Sequence, residues 1–183
     1  ERRIYARECV VVETSHQQAT EFLEKHHLQG AVSQAKHSYG LTHDSELVAV
    51  MTFGTPRYAK KYQHELLRFA SVGSVVGGAS RLFKRFCKDV GTGSVVSYAD
   101  RRWSNGDVYG KMGFELDHVS APGYFYTDGR NKFNRLKFQK AKLVKGGANP
   151  DMTEWEIMTE AGFDRLWDCG QQAWKFVISS SNS

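Results

Sequence analysis

Arg101, Arg102 and Trp103 set two guanidiniums and an indole directly after Asp100, the acid that closes the apolar run "SVVSYAD". Guanidiniums grip phosphate through paired N–H donors and an indole stacks on a base, so the trio has the make-up of a nucleic-acid contact. A surface salt-bridge cluster is the other reading of the same residues. Further on, "RNKFNRLKFQKAKLVK" carries Arg130, Lys132, Arg135, Lys137, Lys140, Lys142 and Lys145, has no acid, and interleaves Phe133 and Phe138. A one-signed stretch with aromatics between the cations is what a nucleic-acid surface requires. Arg57 is a further candidate phosphate contact. The whole chain has 25 basic and 20 acidic residues, a surplus that permits a polyanionic partner without demanding one.

Other chemistries find less support. The seven histidines lack a His-Glu-x-x-His spacing, and Cys9, Cys87 and Cys169 are too scattered for a metal knuckle or a disulfide framework. No metal site is therefore expected. Glu65, Asp100 and Asp107 supply carboxylates for a Mg²⁺-dependent nuclease but in no recognisable pattern, and GIY-YIG, LAGLIDADG and HNH signatures are missing. No apolar run reaches the roughly 20 residues that span a bilayer, and the first residues lack the apolar block of a signal peptide. A cytoplasmic setting without a membrane partner is expected.

The elements that must position these residues are legible in short-range patterns. Ser15 with Gln18 forms a capping box that opens a helix, with Ala19, Phe22 and Leu23 at helical spacing. His26 and His27 end that helix, where an imidazole suits the dipole. "SYGLTH", the turn "DSE" and "LVAVMTFG" predict a hairpin, and "ELLRFASV" a third strand. "ASRLFKRFCKDV" places Leu82, Phe83, Phe86, Cys87 and Val90 on one helical face. "SVVSYAD" reads as a buried strand and "GDVYGKMG" as a short helix closed at Gly113. Asp128-Gly129 centres a hairpin, Thr153 with Glu156 opens a last helix, and "AWKFVI" is a closing strand. Trp155, Trp167 and Trp174 read as core anchors of a C-terminal unit. The fold class is α/β (α+β), a mixed, mainly antiparallel sheet flanked by helices. The expected division is residues 1–145, a helix–strand extension at 146–178, and a disordered tail at 179–183.

The element order, with "SVVGGASRLFKRF" and "DVYGKMGFE", resembles the GNAT acyltransferase fold. The resemblance implies that backbone N–H groups of Val76, Gly77, Gly78, Ala79 and Ser80 hold the pyrophosphate of an acyl-CoA at a helix N-terminus. The family loop opens on a basic or amide residue, which is replaced here by Ser74.

Nine blocks in order, from "IYARECVV" and "FLEKHHLQG" through "SYADRRWSNGDVYGKMGF" and "GYFYTDGRNKFNRLKFQKAKL" to "RLWDCG", look like the C-terminal region of phage Hef-like homing endonucleases. That resemblance implies double-stranded DNA as partner, a phage-infected host cell as setting, and a nuclease domain N-terminal to this region. The chain also looks like a distant relative of phage Mom-type DNA-modification proteins, themselves GNAT-like. Their pattern falls on His27, Asp100 and Tyr109. It implies His27 as base or ligand, Asp100 orienting or deprotonating a base amine, and Tyr109 returning a proton to the leaving group. The leading expectation is a DNA-binding GNAT-like domain. The alternatives are a Mom-like DNA-modifying acyltransferase and a Mg-dependent endonuclease.

Overall fold

The computed structural model describes residues 3–179, so residues 180–183 of the expected tail lie outside the described residues. The chain divides into two compact units. The first comprises Glu1–Ala99, Ser104–His118 and Gln172–Ser183, and the second Asp100–Trp103 and Val119–Gln171. The elements run β1 (Arg3–Tyr5), β2 (Val10–Glu13), α1 (His16–His26), β3 (Ala35–His43), β4 (Glu46–Gly54), β5 (His64–Ser71), β6 (Ser74–Val76), α2 (Gly78–Val90), β7 (Gly93–Asp100), α3 (Asp107–Lys111) and β8 (Glu115–Val119). The second unit follows with β9 (Tyr124–Thr127), β10 (Lys132–Asn134), α4 (Lys140–Lys145), α5 (Glu154–Glu160) and β11 (Asp164–Trp167). Strand β12 (Gln171–Ile178) then returns to the first.

In the first unit the seven-stranded sheet has the order β2-β3-β4-β5-β7-β12-β8. Strands β2 to β5 pair antiparallel, and β5 and β7 are parallel neighbours. Strand β4 is a nearly continuous apolar run because helices cover both its faces. Met51 and Phe53 point into one cluster with Leu82, Phe83 and Phe86 of α2. Val50, one residue out of phase, packs with Ala19, Phe22 and Leu23 of α1. The Phe53 and Phe86 rings stack with centroids 3.7 Å apart. The capping box of Ser15 and Gln18 is formed, and the β3–β4 turn puts Asp44 and Ser45 at positive φ, as a two-residue hairpin of primed type requires.

The closing strand enters the main sheet between β7 and β8 and does not extend a C-terminal unit. The division expected at 145/146 differs accordingly, because the second unit is an insertion between β8 and β12. Trp174 thus belongs to the first unit, Trp155 is half-buried in the second, and Trp167 is 55% exposed. The second unit has its own three-stranded antiparallel sheet, β10-β9-β11, with the hairpin centred on Asp128-Gly129. Its core gathers Phe133, Phe138, Phe163 and Tyr126 ring to ring. Thr153 and Glu156 form the second capping box at α5. Among the described residues, no helix is long and apolar enough to cross a membrane.

Candidate active site

Strands β5 and β7 pair only through His64 with Val95 and Glu65 with Val96, although β5 continues to Ser71 and β7 to Asp100. Beyond that point the ladder stops and the sheet forks. On the other side of β5 the register against β4 shifts by one between Phe53–Leu66 and Thr52–Arg68, so Leu67 is an extra residue in a β-bulge. A bulge withdraws a backbone group from the ladder, and bulges recur next to active sites because they re-aim the strand. Neither the fork nor the bulge leaves a mark in residue type, because both are properties of pairing register.

Tyr109 of α3 reaches this fork. Its hydroxyl lies 3.0 Å from Ser97 Oγ, and Ser97 donates to the carbonyl of Leu66 at 2.8 Å. A serine has one proton to give, so Tyr109 donates to Ser97. The Tyr109 ring stacks on Trp174 of β12, and burial raises its pKa, keeping the phenol protonated. At the start of α3, Gly106 has φ +84°, and a Cβ there would lie 2.5 Å from the Trp174 ring. Only glycine brings the helix close enough to seat Tyr109 on that ring.

Glu65 stands at the same fork, fully buried, and its partner is Arg57. The Arg57 guanidinium contacts Oε1 from Nε at 3.0 Å and Nη2 at 2.6 Å, while its backbone N–H donates to Oε2 at 2.8 Å. Arg57, expected on phosphate, is therefore largely spent on holding a buried carboxylate, and its pKa is raised. Burial lowers that pKa most strongly, but the bonds to Glu65 outweigh it. The residue that sequence reading passed over is Arg68. It donates from Nε to Gly30 O at 3.1 Å and from Nη1 to Leu67 O at 2.8 Å.

His27 caps α1, its N–H bonded to Leu23 O, and its Nδ1 accepts from the Gln29 amide at 3.0 Å. Burial, then the Arg68 charge, lowers its pKa, so the ring is neutral at neutral pH. With Nδ1 accepting, the proton sits on Nε2, and His27 is a donor there.

A second candidate site centres on α2. Gly77 has φ +77°, and the first intrahelical bond runs from Arg81 N to Gly77 O, leaving the amides of Gly78, Ala79 and Ser80 free of intrahelical partners. Val76 stands opposite Tyr5 in the short parallel ladder of β1 and β6, so the loop proper narrows to Gly77. Ser74, which departs from the family loop, lies in the same ladder opposite Arg3. A cleft of about 340 Å³ opens here, lined by Tyr5, Arg7, Gly77, Ser80, Arg81 and Lys84 among others. Arg81 also anchors the Ala6 carbonyl. A Cβ on Gly78 would sit 3.1 Å from Val75 Cγ1, so the backbone there is closely backed. Free amides at a helix N-terminus, with three basic side chains around them, fit a diphosphate.

In the second unit, Asp100 is gripped by Arg102. Arg102 Nε contacts Oδ1 at 3.0 Å, Nη2 contacts Oδ2 at 2.5 Å, and the Arg102 amide donates to Oδ1 at 3.0 Å. These bonds to Arg102 hold the Asp100 carboxyl below the usual range despite burial. Such a carboxylate is a weak proton acceptor and a firm positioning group. Arg101 donates to the Cys169 carbonyl at 3.1 Å, so both arginines have partners, while Trp103 remains 64% exposed. Arg130, Lys132, Arg135, Lys137 and Lys140 are all exposed. Arg135 is paired with Glu154 at 3.0 Å. Phe133 and Phe138, expected to offer stacking faces, turn inward into the ring cluster. Among the described residues, no group of three or more His, Cys, Asp or Glu side chains could hold a metal ion.

A sheet that forks between parallel strands, bulges beside the fork and ends in a glycine-opened helix defines a GNAT-like acetyltransferase fold. Solved structures share it. An acetyltransferase from Bacillus subtilis in complex with CoA superposes with a TM-score of 0.52 at 11% identity, covering 93% of this chain and 99% of that one. An alanine N-acetyltransferase acting on a ribosomal protein of Escherichia coli gives 0.54 at 11%, covering 93% and 94%. Ard1 from Thermoplasma volcanium gives 0.52 at 10%, covering 93% and 98%. No family model and no curated protein matches the sequence. At these identities the likeness is one of fold, and it carries no homing-endonuclease or Mom-type character.

Proposed function

We propose that the chain is an acyl-CoA-dependent N-acyltransferase whose acceptor is an amine of nucleic acid. The observation that carries the transferase reading is the β5–β7 fork, flanked by the Leu67 bulge and the Tyr109–Ser97 hydroxyl pair. The CoA held by the Bacillus subtilis neighbour supports the choice of donor. The amides of Gly78, Ala79 and Ser80, with Arg7, Arg81 and Lys84, would hold its diphosphate. Bound there, an acyl-CoA supplies an activated thioester carbonyl. The bulge takes Leu67 out of the β4 pairing and offers a fixed backbone dipole beside the fork. Tyr109, kept protonated by burial, holds a proton that would pass to a leaving group once its O–H turns from Ser97. Calorimetry with CoA and with acetyl-CoA tests the reading. Heat of binding is expected, weakened in Ser80→Glu, which sets a negative charge among the free amides. No heat at millimolar concentration would overturn it.

The exposed basic row of the second unit favours a second reading, a DNA-binding domain of the homing-endonuclease type. It requires duplex binding that falls steeply with salt, and a shallower dependence in Lys137→Ala with Lys140→Ala. Unchanged gel shifts in that double variant at low salt would remove it. A Mg-dependent nuclease has less to work with: Glu65 is held by Arg57, Asp100 by Arg102, and Asp107 accepts from Asn105 at 2.8 Å.

A further inference from the structure

Arg68 is a half-buried guanidinium whose charge is not matched. Among the described residues no carboxylate lies within ion-pair distance of it, and its side-chain bonds go to two neutral carbonyls. The one acid at the fork, Glu65, is already bound by three donors of Arg57. Arg57 and Arg68 are close enough for the Arg57 charge to lower the Arg68 pKa, after the larger effect of burial, and His27 is neutral beside them. Arg57, Glu65 and Arg68 together therefore leave one positive charge at the mouth of the fork. A guanidinium kept partly out of water without an anion is costly unless an anion arrives with the ligand.

On the Arg57 side of this cluster stands an aromatic ring with one face in water. Tyr58 is 74% exposed; its ring meets the edge of Tyr98 at 5.8 Å, and the Arg57 guanidinium lies 5.6 Å from its centroid. Tyr98 follows Ser97 on β7, at the fork itself. Lys60 is exposed on the same loop and adds to the positive field, while Lys61 is paired with Asp117 at 3.8 Å. A cluster of Arg57, Glu65 and Arg68 with one positive charge in excess, edged by the free Tyr58 ring, matches the two chemical parts of a nucleotide, an anion and a π-face.

We propose that Arg68 and Tyr58 form an acceptor subsite for an unstacked nucleotide, with phosphate on the Arg68 guanidinium and the base on the Tyr58 ring. The inference rests on the transferase reading for its purpose, since it names the acceptor of that same fork. An unstacked nucleotide comes either from a single strand or from a duplex that releases a base.

The test is fluorescence anisotropy with the full chain and a labelled single strand of about 12 nucleotides, alongside the duplex of the same sequence. Arg68→Gln and Tyr58→Ala are each expected to weaken single-strand binding about tenfold. Arg68→Gln should also reduce the slope of log affinity against log salt by about 0.7, the value of one lost phosphate contact, and Arg68→Lys should restore it. Tyr58→Ala should leave the slope alone. Losses repeated on the duplex identify a base released from pairing, and losses confined to the single strand identify that source; both support the subsite. Wild-type affinity in Tyr58→Ala overturns the proposal, and because that ring is mostly exposed the result stands even where Arg68→Gln fails to fold. Displacement of the strand by an oligoglutamate peptide at equal affinity overturns it too, in favour of an acidic peptide. CoA calorimetry on the same proteins separates the two readings. Heat with no variant effect on the strand sinks the subsite alone, and variant losses without CoA heat sink the transferase alone.

Discussion

Tyr109 and Ser97 meet hydroxyl to hydroxyl at 3.0 Å, at the point where the β5–β7 ladder ends. Ser97 spends its proton on Leu66 O, so the pair holds the Tyr109 proton in one direction. Tyr109→Phe removes that proton and keeps the ring on Trp174. Turnover is expected to fall about a hundredfold or more with CoA affinity unchanged, as for loss of a general acid. Burial raises the Tyr109 pKa, so the wild-type rate should not decline at the ordinary tyrosine value near 10. A pH–rate profile of both proteins reads this directly, and a variant as fast as wild type would exclude Tyr109 from the chemistry.

The pair of Arg57 and Glu65 makes an asymmetric prediction. Removing the arginine leaves a carboxylate with 1% of its side chain exposed, whereas removing the glutamate leaves a guanidinium one-third in solvent. Arg57→Leu should therefore cost about 3–5 kcal/mol, and Glu65→Gln distinctly less. Urea unfolding of the two variants checks the order, and a reversed order would mean that Glu65 is not buried as a charge.

Ser80→Glu separates helix stability from anion binding. An acid in the first turn of α2 is favourable to the helix dipole by about 0.3–1 kcal/mol, so thermal stability should hold or rise. CoA affinity should fall at the same time, because the charge stands among the free amides of Gly78 and Ala79. A joint drop in stability and affinity would point to a packing fault.

Tyr126 gives the second unit an alkaline limit. Burial, more than the bond to Glu154, pushes its pKa to about 12. A raised folded-state pKa contributes stability that is complete below the unfolded value near 10 and lost as pH rises through the folded value. Stability measured by urea unfolding should decline between about pH 10 and 12, and Tyr126→Phe should flatten that decline. A flat profile in the wild type would show that Tyr126 ionises freely.

Residue type and short spacing were sufficient for everything that closes within one turn. The capping boxes at Ser15–Gln18 and Thr153–Glu156 are contacts three residues apart, and the Asp128-Gly129 turn and the Gly77 opening of α2 are set by local φ and ψ. The apolar stripe of α2 predicted the face that meets Phe53. Local patterns also nominated Tyr109, whose helix is bounded by Gly106 and Gly113.

The tertiary structure decided what depends on register and on distant partners. The Leu67 bulge exists only against β4, and the fork only because β5 and β7 diverge after two residue pairs. Glu65 and Arg57 looked like ordinary charges until burial joined them. Arg101 and Arg102 looked available until Cys169 and Asp100 took up their donors. The placing of β12 between β7 and β8 depends on chain return across a whole inserted unit. Side-chain type sets what a residue is able to bind. Which partner it meets is settled by pairing and burial between segments tens of residues apart, and no local pattern records that.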